Sequence, residues 1–471
     1  MPGPAGASAS IDRASFRDPS GFVFRRGDKI LRQVNDCFRA DYDALMETGL
    51  YEELVESGLL VRHREAAAEE ALSASAYKVL EPEKVGFLSF PYEWCFSQLK
   101  DAALATLECQ RLALAHEMVL KDASAYNIQF VHGRPQMIDT LSFERYQPET
   151  PWIAYRQFCQ HFLAPLALAS YVDIRLLALS ARYIDGIPLD LASGMLPARS
   201  RLRLGILIHL HLHAKSQRKY ADATASGPRT ARALRPVSRQ QLLGIVDNLK
   251  STIVKLDWRP AGTEWADYTG TTHYTETDRR AKQRLVEDYL KRSGALTVLD
   301  LGANTGVYSR VAARLGCRAI SCDGDPAAVE KNYLEVKGSG GGDVLPLLID
   351  LASPSPSLGW ASQERPSWIE RSSVDAVMAL ALVHHLAIGN NVPLARVAEF
   401  LRSLAPVAIV EWVPKGDARV QQLLAAREDI FPDYTREGFE AAFAEFFAIE
   451  ARDGLGDTDR SIYLLRTPGR G

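Results

Sequence analysis

Short apolar runs alternate with helical stretches through the C-terminal part of the chain. Val298-Leu-Asp300, Arg318–Asp323, Leu345–Asp350, Val374–Ala381 and Ala408–Glu411 have the composition of buried strands. The first runs into a turn holding Gly302, Asn304 and Gly306, and a helix begins near Val307. Strand, Gly-rich turn, helix, strand, acidic turn, helix is the order of a doubly wound, Rossmann-like α/β sheet. Lys337–Gly342 reads as a loop and not as a phosphate cradle, because no helix start follows it.

The N-terminal half has a different rhythm. Phe22-Val-Phe24 and Lys29–Val34 are strand-like, and Asp41–Ser57 has helical spacing with Leu45, Leu50, Leu54 and Val55 on the apolar side. An Ala- and Leu-rich helix is predicted over Leu99–Leu120. A hairpin follows, with Asn127–Val131 and Gln136–Asp139 flanking Gly133-Arg-Pro135. Further helices lie between Tyr155 and Lys219, which makes this an α+β domain. Ala221–Pro236 has linker or exposed-loop chemistry, and a helix over Leu242–Leu256 follows. The division expected is a terminal segment (1–20), an α+β domain (21–240), a helical linker or lid (241–275) and the α/β domain (276–471).

Composition narrows the class. With 471 residues the chain is too long for one ordinary core. Its formal net charge of −3 excludes a chain built throughout to grip polyanions. No apolar run is long enough to span a bilayer, and Met1–Ser10 has no secretory-leader pattern. The six cysteines follow neither metal nor disulfide spacing, which reads as a reducing, cytoplasmic setting.

Three strand ends carry the chemistry. Asp300 precedes the first glycine of its turn, and no third glycine completes the Gly-x-Gly-x-x-Gly of a dinucleotide site. An acid there suits a zwitterionic amino-acid moiety better than a pyrophosphate. About twenty residues on, Asp323 stands where ribose-hydroxyl recognition requires an acid, with Asp325 as its competitor. Asp350, ending the third strand, is placed to receive an adenine amino group. In this series the chain resembles class I S-adenosylmethionine-dependent methyltransferases from roughly Trp265 to Arg466. The resemblance implies that Asp300, Gly302, Asn304 and Gly306 surround the methionine part of S-adenosylmethionine, Asp323 the ribose and Asp350 the adenine. Two departures stand out: Asn304 replaces the usual central glycine, and Ser403-Leu-Ala-Pro406 replaces a Lys-Pro-Gly-Gly turn.

His384 and His385 follow the fourth strand, facing the expected donor, where an imidazole can take a proton during methyl transfer. The competing reading is a structural pair, one ring buried and one capping the next helix. Glu411 either lines the acceptor pocket or is a satisfied strand-end carboxylate. Trp265, Tyr268, Tyr274 and Lys282 form an aromatic-basic approach to the sheet, readable as a lid or as packing.

In the N-terminal half, Asp122, Asn127 and Asp139 have oxygen chemistry suited to a magnesium-bound phosphate. They resemble the catalytic loop and metal-binding Asp of protein-kinase-like and aminoglycoside-phosphotransferase-like folds, over about Gly21–Tyr220. That resemblance implies Asp122 as catalytic acid/base, Asn127 and Asp139 as metal ligands, and ATP with Mg as cofactors. Leu120-Lys121 and Thr140 depart from the family pattern, and no Gly-rich loop stands near Phe22. Lys29, Arg32 and Lys78 compete as the phosphate-contacting base. The competing reading is a capped turn between helix and hairpin. Phe90–Trp94 falls near the hinge of such a fold. His209 and His213 share a helix face while His211 points away, and packing is the reading preferred to a metal site. Basic residues dominate Arg199–Arg239, with Asp222 the only acid, and a solvated face is preferred to an RNA surface.

Through Pro91–Trp94 and Leu120–Asn127 the whole chain also resembles bacterial methyltransferase-like proteins grouped with rhizobial nodulation functions. The expectation is methyl transfer to a small-molecule or saccharide acceptor, aided by a kinase-like domain. The alternatives are a bifunctional kinase–methyltransferase, an RNA or protein methyltransferase with a pseudokinase scaffold, and a nucleotide-binding scaffold without catalysis.

Overall fold

The computed structural model describes residues 9–215, 236–260, 276–340, 342–425, 427–456 and 458–468. The chain divides into two compact units, one comprising 1–131, 135–259 and 357–365, the other 132–134, 260–356 and 366–471.

The first unit opens on an antiparallel sheet formed by β1 (Ala9–Ile11), β2 (Gly21–Arg26), β3 (Lys29–Asn35), β4 (His63–Glu65) and β5 (Ala76–Pro82), in the order β1-β2-β3-β5-β4. The helical stretch expected over Asp41–Ser57 is two helices, Arg39–Glu47 and Leu50–Glu56, separated at Gly49 with its φ of 79°. The apolar helix Phe96–Ala115 stops short of the predicted Leu120. Glu117 turns the backbone to φ 55°, and Met118–Leu120 becomes β6, paired antiparallel with β9 (Phe143–Arg145). Buried apolar residues serve a helix and an inner strand equally well, so periodicity does not mark that change. β7 (Ile128–Val131) and β8 (Arg134–Met137) form the expected hairpin.

The region read as a linker starts with the helix Arg239–Val254, which packs on Phe96–Ala115. Lys100 donates to the Val254 and Leu256 carbonyls at 2.9 and 2.7 Å. Its apolar face, with Leu242, Val246, Leu249 and Ile253 buried, supplies the reason. Trp265, Tyr268 and Tyr274 lie outside the described residues, as does most of the basic stretch after His213.

The second unit is the doubly wound sheet. Its strands are β10 (Thr297–Leu301), β11 (Arg318–Asp323), β12 (Val344–Leu348), β13 (Ala376–Ala379), β14 (Val407–Trp412), β15 (Ala448–Gly454) and β16 (Ser461–Arg466). Their order is β12-β11-β10-β13-β14-β16-β15, with the first five parallel and β16 antiparallel to both its neighbours. This is a doubly wound, Rossmann-like arrangement. The chain order reverses direction beside β10, so the ends of β10 and β13 flank a crevice, the place where such sheets bind ligands. Val298, Ala319, Ala376, Val407 and Leu464 belong to one buried core on a face of the sheet. The helix Pro326–Gly338 runs two residues, Lys337 and Gly338, into the stretch expected to be a loop. Among the described residues, no helix is long and apolar enough to cross a membrane.

Candidate functional site

The turn after β10 is built from residues that accept a left-handed backbone. Gly302, Asn304 and Gly306 have φ of 68°, 50° and 74°. A Cβ at Gly306 would stand 2.2–2.5 Å from the Asn332 carboxamide, so only glycine fits there. Asn304 occupies the third such position because asparagine tolerates this conformation better than other side-chain-bearing residues. Its Oδ1 accepts from the Thr305 amide at 2.7 Å. The departure from the family pattern thus preserves the backbone path.

This turn is tied to the next strand. The Asn304 amide donates to Asp323 Oδ2 at 2.8 Å, and the Ala303 amide donates to the Cys322 carbonyl at 3.0 Å. Asp323 Oδ1 accepts from the Asp325 amide at 2.8 Å. Burial raises the Asp323 pKa, and these amide donors oppose the rise. Asp325 caps the helix Pro326–Gly338 through Oδ1, while its buried Oδ2 has no partner among the described residues. The two competing acids therefore sit in one turn. Asp300 is buried and accepts from Ser309 Oγ at 2.6 Å. Burial pushes its carboxyl up to about 7, opposed by Ser309 and by the charge of Lys282. Asp350, exposed after β12, accepts from the Ala352 amide at 2.9 Å.

Beyond β13 lies a second group. His384 is fully buried, and its ring lies 4.1 Å from that of His385. His385 opens a π-helical turn, His385–Gly389, a local insertion often found at functional sites. Burial lowers the pKa of both imidazoles, that of His385 to about 4. Glu411, on β14, is fully buried between Lys282 Nζ at 2.5 Å and Arg460 Nη1 at 3.1 Å. Arg460 Nε reaches Asp417 Oδ2 at 2.8 Å, and Lys282 lies 4.8 Å from the centre of the Tyr308 ring. Glu411 is thus an ion-paired carboxylate, and Lys282 belongs to its buried network. A cavity of about 550 Å³ is lined by Ala387, Asn391, Ile430, Phe431 and Tyr434 among others.

In the first unit, Asp122, Asn127 and Asp139 converge. Asn127 Nδ2 donates to Ser142 Oγ at 3.1 Å, and Ser142 Oγ donates to Asp139 Oδ2 at 2.9 Å. Asp122 Oδ1 accepts from the Ser124 amide and from Gln157 Nε2. Its pKa is raised by burial first and by the Asp139 charge second. Of the three competing bases, Lys29 pairs with Glu70 and Lys78 with Glu65, whereas Arg32 meets Asp139 at 2.6 Å. Phe90, Tyr92 and Tyr126 form a buried aromatic cluster. His209 lies between Tyr155 Oη and Asn248, His211 between Ser193 and Ser200, and His213 stacks on Tyr155. Among the described residues, no group of three His, Cys, Asp or Glu is placed to hold a metal.

Nodulation protein NoeA of Rhizobium meliloti (strain 1021) is 35% identical over 457 residues, covering 96% of this chain and 95% of that protein. The chain belongs to the NoeA family. No protein-family model matches it. Among solved structures, WbdD is 15% identical with a TM-score of 0.30, over 41% of this chain and 40% of the WbdD chain. N-methyltransferase NodS from Bradyrhizobium japonicum WM9 is 12% identical with a TM-score of 0.31, over 41% and 98%.

Arg32, Arg460 and Asp417 are the residues of this NoeA-family chain that sequence reasoning did not place. Only β3 carried a signal for one of them. Its two-residue period puts Arg32 and Lys29 on opposite faces. Arg460 and Asp417 lie in connections without periodicity.

Proposed function

We propose that the second unit binds S-adenosylmethionine and transfers its methyl group to a small-molecule or saccharide acceptor. The observation that carries this reading is the bond from the Asn304 amide to Asp323, which draws the Gly-rich turn and the β11 acids into one cradle. The cradle suits the donor: Asp325 Oδ2 is a buried acceptor awaiting a hydroxyl, and Asp323 keeps lone pairs for ribose. Asp300, Gly302, Asn304 and Gly306 take the methionine part, and Asp350 takes the adenine. When bound, the donor supplies a methyl group activated by its sulfonium. His384, His385 and Glu411 form the acceptor side. Calorimetry with S-adenosylmethionine tests the reading: Asp323→Ala and Asp300→Ala should each weaken binding at least tenfold. Unaltered binding in both variants rejects the donor site.

The first unit serves substrate binding in this reading. The meeting of Arg32 with Asp139, beside Asp122 and Asn127, favours a second reading in which it also transfers phosphate from ATP with Mg. Asp122 would orient the acceptor hydroxyl, and Asn127 and Asp139 would hold the metal. ATP with magnesium should then raise the melting temperature of wild type and not of Asp139→Ala. An equal shift in both, or none, leaves a substrate-recognition domain.

A further inference from the structure

His384 is the unexplained group of the second unit. It is fully buried, and neither ring nitrogen has a hydrogen-bond partner among the described residues. Buried polar groups are almost always paired, and exceptions mark places where a ligand or water completes the bonding. The imidazole follows β13 at the carboxyl edge of the sheet, on the side where the donor cradle lies.

Its surroundings narrow what that ligand is. Lys282 and Arg460 face two carboxylates, Glu411 and Asp417, and Lys282 also acts on the buried Asp300. Both cations are already engaged by acids, so a substrate carboxylate or phosphate has no free cation to meet. An uncharged hydrogen-bond donor would meet a bare imidazole. The groups acting on that ring are known: His385, Arg460 and Lys282 disfavour its protonation, burial does so most, and Glu411 opposes them. At neutral pH the ring is therefore an acceptor.

We propose that the methyl acceptor is an uncharged hydroxyl group whose proton passes to His384. The proposal rests on the methyl-transfer reading of this same site. As the hydroxyl oxygen forms its bond to the methyl carbon, the carbon–sulfur bond breaks and its electron pair stays on sulfur. The O–H proton moves to an imidazole nitrogen. The products are a methyl ether, S-adenosylhomocysteine and an imidazolium that returns its proton to water. A hydroxyl needs a base during bond formation, because its oxygen is a poor nucleophile until the proton leaves. A neutral amine attacks without one.

The first test follows the ring itself. Full-length chain with ¹³C-labelled histidine rings, saturated with S-adenosylhomocysteine, is titrated by NMR, and His384 is assigned by its absence in His384→Gln. The ring should be neutral at pH 7, and Lys282→Met should raise its titration midpoint by at least one unit, a tenfold gain in proton affinity. Arg460→Met should move it the same way and serves if Lys282→Met does not fold. Titration at the ordinary value of about 6.5, or a midpoint unmoved in the folded variants, overturns the proposal.

The second test types the product. Methyl-¹³C-labelled S-adenosylmethionine is offered with methyl glucoside, glucosamine or glucuronate. A methyl ether is expected, lost at least 100-fold in His384→Gln while S-adenosylhomocysteine affinity is kept. A methylamine or methyl ester, or full turnover in His384→Gln, overturns the proposal. Absence of S-adenosylhomocysteine binding in wild type instead removes the donor assignment on which it rests.

Discussion

Asn304 and Asp300 set the behaviour of the donor turn residue by residue. At φ 50°, Asn304 needs a side chain that tolerates the left-handed region. Asn304→Gly should bind S-adenosylhomocysteine within a few-fold of wild type. Asn304→Val, β-branched, should lose about 1–2 kcal/mol in denaturant unfolding. Asp300 makes the turn sensitive to pH. Burial pushes its carboxyl up to about 7 from the ordinary 3.8, so the native state holds the proton more tightly. This contribution to stability is complete below about pH 4 and fades as pH rises through 7. A sulfonium favours the ionised carboxylate. Donor binding should therefore release a proton below pH 7, seen by calorimetry in buffers of different ionisation enthalpy. Asp300→Asn should abolish that release.

Between elements, one buried network joins the helix Glu276–Ser293, β14 and the start of β16. Lys282, Glu411 and Arg460 are each 7% exposed or less. Lys282→Met leaves buried Glu411 with Arg460 as its partner, so in chemical denaturation it should cost less than the about 3–5 kcal/mol of a fully stranded charge. Adding Glu411→Leu should recover part of that loss, because the under-paired carboxylate goes with it and Arg460 keeps Asp417. A further cost on adding it would mean that packing, and not charge, dominates there. Lys282 itself was visible in the sequence, but as part of a surface approach with Trp265, Tyr268 and Tyr274. The polar neighbours on its own helix gave no reason to expect a buried carboxylate, which comes from a strand far along the chain. The same limit applies to β15, whose residues are largely exposed and lack the alternation that marks a strand.

In the whole molecule, the two units are tested by different ligands. S-adenosylhomocysteine at about 100 times its Kd should stabilise the chain by about 2.7 kcal/mol. Hydrogen exchange should slow at the turns after β10 and β11. ATP with magnesium should slow exchange at 122–127 and 139–142 only if the first unit binds nucleotide; unchanged exchange there leaves the substrate-binding role. By itself, the sequence determined the alternation of the second unit and the acids at the ends of β10, β11 and β12. Buried parallel strands are nearly continuous apolar runs, so an acid at the carboxyl end of each stands out. Tertiary structure alone decided which base meets Asp139, that the Asn304 amide reaches Asp323, and that Glu411 pairs with Lys282 and Arg460. Those outcomes depend on register and on contacts between distant segments. Arg32 lies opposite Val23 and Leu80, a pairing no local pattern encodes.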